Sequence, residues 1–422
     1  MKQYLFIYPS LSLGGIETFF VRLAKQFAKN NRRLKFLFLF KNVGNHELMC
    51  EIEKFADIYY WEDFCFLGGK NFIGSRFKLF MPLRKKRLRE VFSGCEFVHV
   101  SCALTYFTAM RVFSCLGVQA KFIFGVYHSN ELAWGQGDIP LYERYFRKYI
   151  FGGRNLLIAF FNSASQVITL KNNGVDNVLS KTFPLGINLA SKTRMPIDRS
   201  KQQLRIISVG RLTAFKTYNL YMLDVVKALV SQNYDVRYDV YGAGPLHQQM
   251  QDKIATLCLQ NYVALKGELP YSSLDETLKK YDVFVGTGTA LLQAASNGIP
   301  CVTAIENEPS ALSYGFFSDL SGTEYHEQNL NYVKKPISEL LISYASLTSD
   351  QVVDLENNHF QKSTIFGIEV CADNFLNAFN AAPYYKSSRY PFYIYMAFFS
   401  AAELIPRLVG KSEYRKKYER II

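Results

Sequence analysis

Four short glycine-bearing turns, each closing an apolar run, constrain this chain more than any other feature. They read IISVGRLTAFK (206–216), VRYDVYGAGPL (236–246), VALKGELP (263–270) and DVFVGTGTALLQAASNGIPCV (282–302). Each apolar run has strand length and the composition of a buried strand, and most of the turns lead into helical spacing. Glycine lets two backbones approach closely, and a helix start offers unbonded N–H groups to an anion. Arg211 and Lys216 add two cations beside the first turn. The ordered set implies a nucleotide-diphosphate site, built from Arg211 and Lys216 with the turns at Gly242, Gly244, Gly267, Gly286 and Gly288. A solvated surface pair is the alternative reading of the two cations.

The rest of the chain repeats the same alternation. Tyr4–Tyr8 reads as a strand, 10–15 as a turn and 16–28 as a helix, because Phe19, Phe20, Leu23, Ala24, Phe27 and Ala28 recur at helical spacing. Phe36–Phe40, Phe97–Val100, Phe122–Val126 and Val167–Leu170 read as further strands. The polar stretch 191–203 reads as a linker, after which strand and helix patterns alternate again to about residue 304. The expected fold class is α/β, with two Rossmann-like doubly wound domains facing across a cleft. The expected boundaries are 1–190, the linker, 204–383, and a tail from 384 to 422 that packs on the first domain or on a membrane.

At 422 residues the chain is long enough for two cores. Its 49 basic and 36 acidic residues leave a net charge of +13, which favours an anionic partner. The eight cysteines are scattered without a C-x-x-C pair, as expected for reduced residues rather than a disulfide or zinc framework. No signal peptide is read, and no apolar window reaches the length needed to span a bilayer. Cytoplasmic residence is the expectation.

VGRLTAFK, VYGAGPL, KGELPYSSLDETLKKYDVFV and GTGTALLQAASNGIPCV resemble the donor domain of GT-B glycosyltransferases, in particular family 4. SLGGIETFFVRLAKQFAK resembles that family's opening turn and helix, and FPLGINL (183–189) the segment closing its first domain. The resemblance implies sugar transfer from a nucleotide-diphosphate donor, with Arg211 and Lys216 holding the leaving diphosphate. It implies that Gly14 and Gly15 turn backbone N–H groups toward the donor, where an ordinary strand-to-helix turn is the alternative. Glu17 reads as a first-turn helix acid. His128 would reach the donor sugar, or be a surface-loop histidine. Glu131 would orient the acceptor or act as acid or base. The family typically carries two glutamates around the last glycine turn, and here those positions are Val285 and Gln293. Gln293 can still bond a ribose through its amide. Sugar contacts then fall to backbone N–H groups of 287–290 and to the Thr287 and Thr289 hydroxyls. No Asp-x-Asp occurs, so neither metal nor cofactor is expected; retention of configuration is what the resemblance implies.

Residues 70–89 hold eight basic and no acidic residues, interleaved with Phe72, Phe77, Leu79, Phe80, Met81 and Leu83. This composition suits an anionic membrane surface, although charge runs are commonly solvated faces. No nucleic-acid module is visible. The aromatic, then basic, tail would dock on the first domain or lie at a membrane interface. Two other classes remain: a non-catalytic assembly subunit, which the missing glutamates suggest, and a nicotinamide-dependent oxidoreductase, against which His247 stands at the third glycine position of the fingerprint.

Overall fold

The computed structural model describes residues 2–12, 14–41, 44–66, 77–127, 132, 140–152, 156–190 and 203–408. His128, Glu131, residues 191–202 of the expected linker 191–203, Lys70 to Arg76 and the last fourteen residues lie outside the described residues. The chain divides into two compact units, Met1–Pro184 with Cys371–Ile422, and Leu185–Val370.

The first unit opens with β1 (Gln3–Tyr8), α1 (Gly15–Lys29), β2 (Leu34–Phe38), α2 (His46–Glu53) and β3 (Ala56–Tyr60). It continues with α3 (Lys85–Phe92), β4 (Cys95–Val100), α4 (Ala103–Leu116), β5 (Gln119–Val126), α5 (Leu141–Gly152), β6 (Leu157–Phe160), α6 (Ser163–Asn173) and β7 (Ser180–Thr182). The parallel strands run in the order β3-β2-β1-β4-β5-β6-β7, so the order reverses between β1 and β4. Helices cover both faces of such a sheet, which is why its strands are nearly continuous apolar runs. An aromatic layer fills one face. Phe6 stacks on His99 at 4.7 Å between centroids, and Phe20 and Phe375 also contact that ring.

Val167–Leu170, expected as a strand, lies inside α6. The Asn162 side chain accepts the Ser165 N–H, which caps the helix and starts it at Ser163, four residues before Val167. The strand is instead the preceding run Leu157–Phe160, whose four residues are all buried.

The second unit contains β8 (Leu204–Val209), α7 (Tyr218–Ser231), β9 (Val236–Tyr241), α8 (His247–Thr256), β10 (Val263–Gly267) and α9 (Leu274–Leu278). It proceeds through β11 (Val283–Gly286), α10 (Gly288–Ser296), β12 (Cys301–Thr303), the small antiparallel pair β13 (Leu312–Ser313) and β14 (Lys335–Pro336), α11 (Ile337–Ala345) and α12 (Ser349–Ser363). Its five parallel strands run β10-β9-β8-β11-β12. Arg205 at the start of β8 holds Asp282 beside the start of β11 through two guanidinium bonds of 3.1 Å. The buried Ser208 hydroxyl donates to Val285 O and accepts from Tyr238, tying three strands together.

Two crossings separate the units. Ile187 N–H donates to Phe366 O and Ile368 N–H to Ile187 O, so 185–190 belongs to the second unit. The return helix α13 (Ile368–Ala381) carries Phe375 and Phe379 into the first unit's aromatic layer. The second unit thus ends near 370 rather than 383. β15 (Tyr384–Lys386) then pairs antiparallel with the start of β5. α14 (Tyr390–Leu408) packs on α4 and α5, with Phe392, Tyr395 and Met396 buried in the first unit's core. No helix among the described residues is long and apolar enough to cross a membrane.

Candidate functional site

In an open parallel sheet, ligands bind outside the carboxyl ends of the strands where the order reverses. In the second unit that point lies between β8 and β11. Gly210 follows β8 and Gly286 ends β11, so the two central strands both finish without a side chain. The ladder continues past the strand ends: Gly242 N–H donates to Gly267 O at 2.7 Å, Gly210 N–H to Tyr241 O at 2.9 Å and Ala304 N–H to Gly286 O at 2.9 Å. The turns at Gly267, Gly242, Gly210 and Gly286 therefore stand side by side along one edge. Gly267 is two strands removed from the reversal and Gly242 one.

Close approach dictates the glycine at 242. A Cβ there would lie 1.9 Å from Gly210 O, and its φ of +149° is strained for other residues. Gly244 is packed similarly, with a Cβ position 2.4 Å from Leu212 O. This crowding presses the loop after β9 onto the loop after β8, and so fixes the segment that carries Arg211 and Lys216.

Lys216 folds back over its own turn. Its Nζ lies 2.7 Å from where a Gly210 Cβ would be. Loss of hydration pushes its pKa down to about 8; Glu306 raises it in part and Arg211 lowers it further. The charged groups that act on the Lys216 ammonium are Glu306 and Arg211. Arg211 is exposed. A desolvated cation beside a second cation is a site prepared for an anion.

α10 supplies the complementary element. Its first turn, Gly288 and Thr289, is partly exposed, and no side chain caps its N–H groups. Thr287 occupies the N-cap position, yet its buried hydroxyl makes no well-formed hydrogen bond. It lies against the phenol of Tyr218 instead. Tyr325 donates to Gly288 O at 3.1 Å and so fixes the helix start from the other side.

Tyr218 and Glu306 were not legible as site residues. The Tyr218 hydroxyl lies 3.4 Å from the Cβ position of Gly210 and 3.5 Å from that of Gly286, directly at the reversal. It is fully buried, which raises its pKa. Glu306 follows β12 in a loop held to the Lys216 segment by Asn307 N–H donating to Phe215 O at 2.8 Å. A tyrosine at the first position of the helix after Lys216, and an acid at the end of the run CVTAIE, were the available signals.

The two positions where family glutamates were expected have other duties. Val285 is fully buried in the core. Gln293 lies on α10 with its Nε2 donating to Asp275 Oδ1 at 2.9 Å and to Asn188 O at 3.2 Å. Only Oε1 is left for a ribose. Among the described residues no group of three His, Cys, Asp or Glu side chains converges as a metal site.

In the first unit, Gly14 is the N-cap of α1. The Glu17 carboxylate curls back to it, with Oε2 2.4 Å from a Gly14 Cβ position, and accepts from Ser12 at 3.0 Å. Tyr127, the residue before His128, is stacked on Phe161 at 4.3 Å and hydrogen-bonded to His99 at 3.1 Å, which anchors the end of β5.

Residues 191–310 match the family model described as glycosyl transferases group 1. A phosphatidylinositol N-acetylglucosaminyltransferase GPI3 subunit from Saccharomyces cerevisiae (strain YJM789) is 27% identical over 172 residues, which is 35% of this chain and 38% of that protein. The UDP-N-acetylglucosamine–peptide N-acetylglucosaminyltransferase GtfA subunit of Streptococcus agalactiae is 24% identical over 42% of this chain and 35% of its own length. The alignments thus span little more than a third of either relative. A solved structure of S. aureus TarM, a G117R mutant in complex with fondaparinux, alpha-GlcNAc-glycerol and UDP, superposes with a TM-score of 0.66 at 12% identity. That superposition covers 90% of this chain and all of the other. The chain is therefore a GT-B fold protein that resembles the group 1 glycosyltransferases, with the family's signature in its second unit.

Proposed function

We propose that this protein is a glycosyltransferase that moves a sugar from a nucleotide-diphosphate donor to a hydroxyl of a lipid-linked or cell-surface glycan precursor. One observation carries the reading: a desolvated lysine, a second cation and an uncapped helix N-terminus meet at the strand-order reversal of the second unit. Breaking the glycosidic bond to a nucleoside diphosphate places new charge on the phosphate oxygens. Cations already fixed there stabilise that charge without reorganisation. Arg211 and Lys216 hold the diphosphate, the N–H groups of 287–289 share it, and Gln293 Oε1 meets the ribose. His128 takes the donor sugar in this reading. The relatives' printed names, both N-acetylglucosaminyltransferases, and the UDP of the TarM complex support a nucleotide-sugar donor. Retention of configuration, independence of metal, and residence at the cytoplasmic face of the membrane belong to the same proposal. Arg211→Ala should weaken binding of a nucleoside diphosphate at least tenfold in calorimetry; unchanged affinity would defeat the assignment.

A second reading has its own observation. Val285 is sealed in the core and the Gln293 amide hydrogens are used inside the unit, so both usual carboxylates are gone. A non-catalytic assembly subunit would tolerate that loss. Donor hydrolysis or transfer by the purified chain would exclude it.

A further inference from the structure

The first unit carries a surface that nucleotide binding does not use. α14 buries Phe392, Tyr395 and Met396 against α4 and α5, and turns Tyr390, Tyr393, Ile394, Ala397, Phe398 and Ala401 outward. That outer row is exposed, apolar and free of charge; Tyr390 is 68% exposed and Ile394 43%. An uncharged aromatic row of this length on a surface helix marks a docking face. On α5, Leu141 is 64% exposed and Tyr145 contacts the Phe398 ring at 5.9 Å, which widens the row.

A basic helix is tied to the same place. The buried Arg111 of α4 has its guanidinium 4.9 Å from the Phe392 ring and 5.6 Å from that of Tyr393. The same guanidinium donates to the carbonyls of Leu79, Phe80 and Met81. Those residues lead through the exposed Arg84 into α3, where Lys85, Lys86, Arg87 and Arg89 are all exposed. Glu90 is the one acid in that helix, 3.5 Å from Arg87. The half-buried Phe80 packs on the buried Phe392 ring at 6.1 Å, so the segment leading into α3 lies against the start of α14.

We propose that the outer row of α14 and the cations of α3 form one membrane-docking face, joined through Arg111, whose occupant is an anionic bilayer surface. Cations adjoin an apolar row without acids of its own, which is the complement of anionic headgroups over acyl chains. A protein partner or a second copy would explain the row but not the adjacent cations. This inference rests on the membrane location proposed above and names the surface responsible.

The test uses the full chain with vesicles of neutral lipid and of neutral lipid containing about a third anionic lipid. Wild type should sediment with anionic vesicles only, and release as salt rises toward about 0.5 M. Ile394→Ser with Phe398→Ser alters exposed residues only and should weaken binding at least tenfold. Lys85→Gln, Lys86→Gln and Arg87→Gln together should weaken it about a hundredfold. Nucleoside-diphosphate affinity should be unchanged in both variants, which separates this face from the nucleotide site. If wild type binds but the α14 variant binds equally well, the composite face is refuted while membrane residence stands. If wild type binds neither vesicle, both are refuted. A wild-type dimer that the α14 substitutions dissociate, without effect on vesicle binding, would show that the row docks a second copy instead.

Discussion

Lys216 is held charged at neutral pH in a place that lowers its pKa to about 8, against an ordinary value of 10.5. A bound diphosphate supplies at least two negative charges beside the ammonium and restores the ordinary value or more. The ligand's own phosphates are already ionised above pH 7. Binding must therefore take up a proton wherever free Lys216 is neutral, and affinity must fall as pH rises. At pH 7 about nine-tenths of the free protein carries the charge and at pH 9 about one-tenth, so affinity should drop about tenfold, or about 1.4 kcal/mol, between them. Calorimetry in two buffers of different ionisation enthalpy should show proton uptake rising from about 0.1 to about 0.9 per site. Lys216→Met should bind weakly at every pH and lose the dependence. Arg211→Ala removes the neighbour that lowers Lys216 and should move the fall to higher pH. The same depressed pKa costs folding stability below pH 8, because the unfolded chain holds the proton more tightly. Lys216→Met should recover stability on the order of 1–2 kcal/mol at pH 7, a value discounted for the residue's partial exposure. Wild-type affinity that stays flat from pH 7 to 9 would refute the assignment of Lys216 to the diphosphate.

Two further outcomes follow from the packing. Gly242→Ala forces a Cβ to within 1.9 Å of Gly210 O at a φ of +149°, with backbone on both sides. It should destabilise the second unit by about 3 kcal/mol or more, or separate the two loops and abolish nucleotide binding, as read by urea unfolding and calorimetry. His99 is buried and neutral, with burial alone pushing its pKa to about 3. The unfolded chain binds the proton that the folded unit refuses, so stability should fall as pH drops below about 6.5, by about 2 kcal/mol at pH 5. Fluorescence of the buried Trp61 during urea unfolding reads the first unit, and equal stability at pH 7 and 5 would refute the neutral assignment.

In the second unit's sheet β8, β9, β10 and β11 each end at or beside a glycine, and β11 is buried along its whole length, which made those strands legible. Val283–Gly286 is the apolar run and first glycine of the segment read at 282–302. α6 was misread because VITL is four β-prone residues long, while the deciding Asn162 cap lies outside it. β15 has three residues and pairs across more than 250 positions of sequence, so no local pattern announces it. The site divides along the same line. Gly210, Gly286 and Lys216 sit in turns with a local signature. Thr287, read from the sequence with its turn, meets the Tyr218 phenol only because the strand order sets β11 beside β8, and Glu306 acts on Lys216 only because β12 lies next to β11. Their spacing in sequence carries no trace of that contact.

The charge balance at the reversal has a consequence for specificity. Two glutamates, which the family resemblance implies at positions 285 and 293, would accept hydrogen bonds from sugar and ribose hydroxyls while offsetting nearby cations. Here one position is buried valine and the other an amide whose hydrogens are spent. Arg211, Lys216 and the α10 N-terminus are the groups to which the proposed function assigns the diphosphate, and Glu306 raises the Lys216 pKa. Loss of a buried acceptor removes discrimination for the hydroxyl it would have met, because rejection of a wrong ligand comes from leaving a polar group unpaired. The second unit should therefore bind a nucleoside diphosphate about as tightly as its sugar conjugates, and sugars differing at one hydroxyl within about threefold of one another. Competition calorimetry with one base and several hexoses measures this directly. Discrimination of a hundredfold or more between epimeric donors would mean that polar groups outside the described residues, with His128 the first to substitute, recreate the lost acceptors.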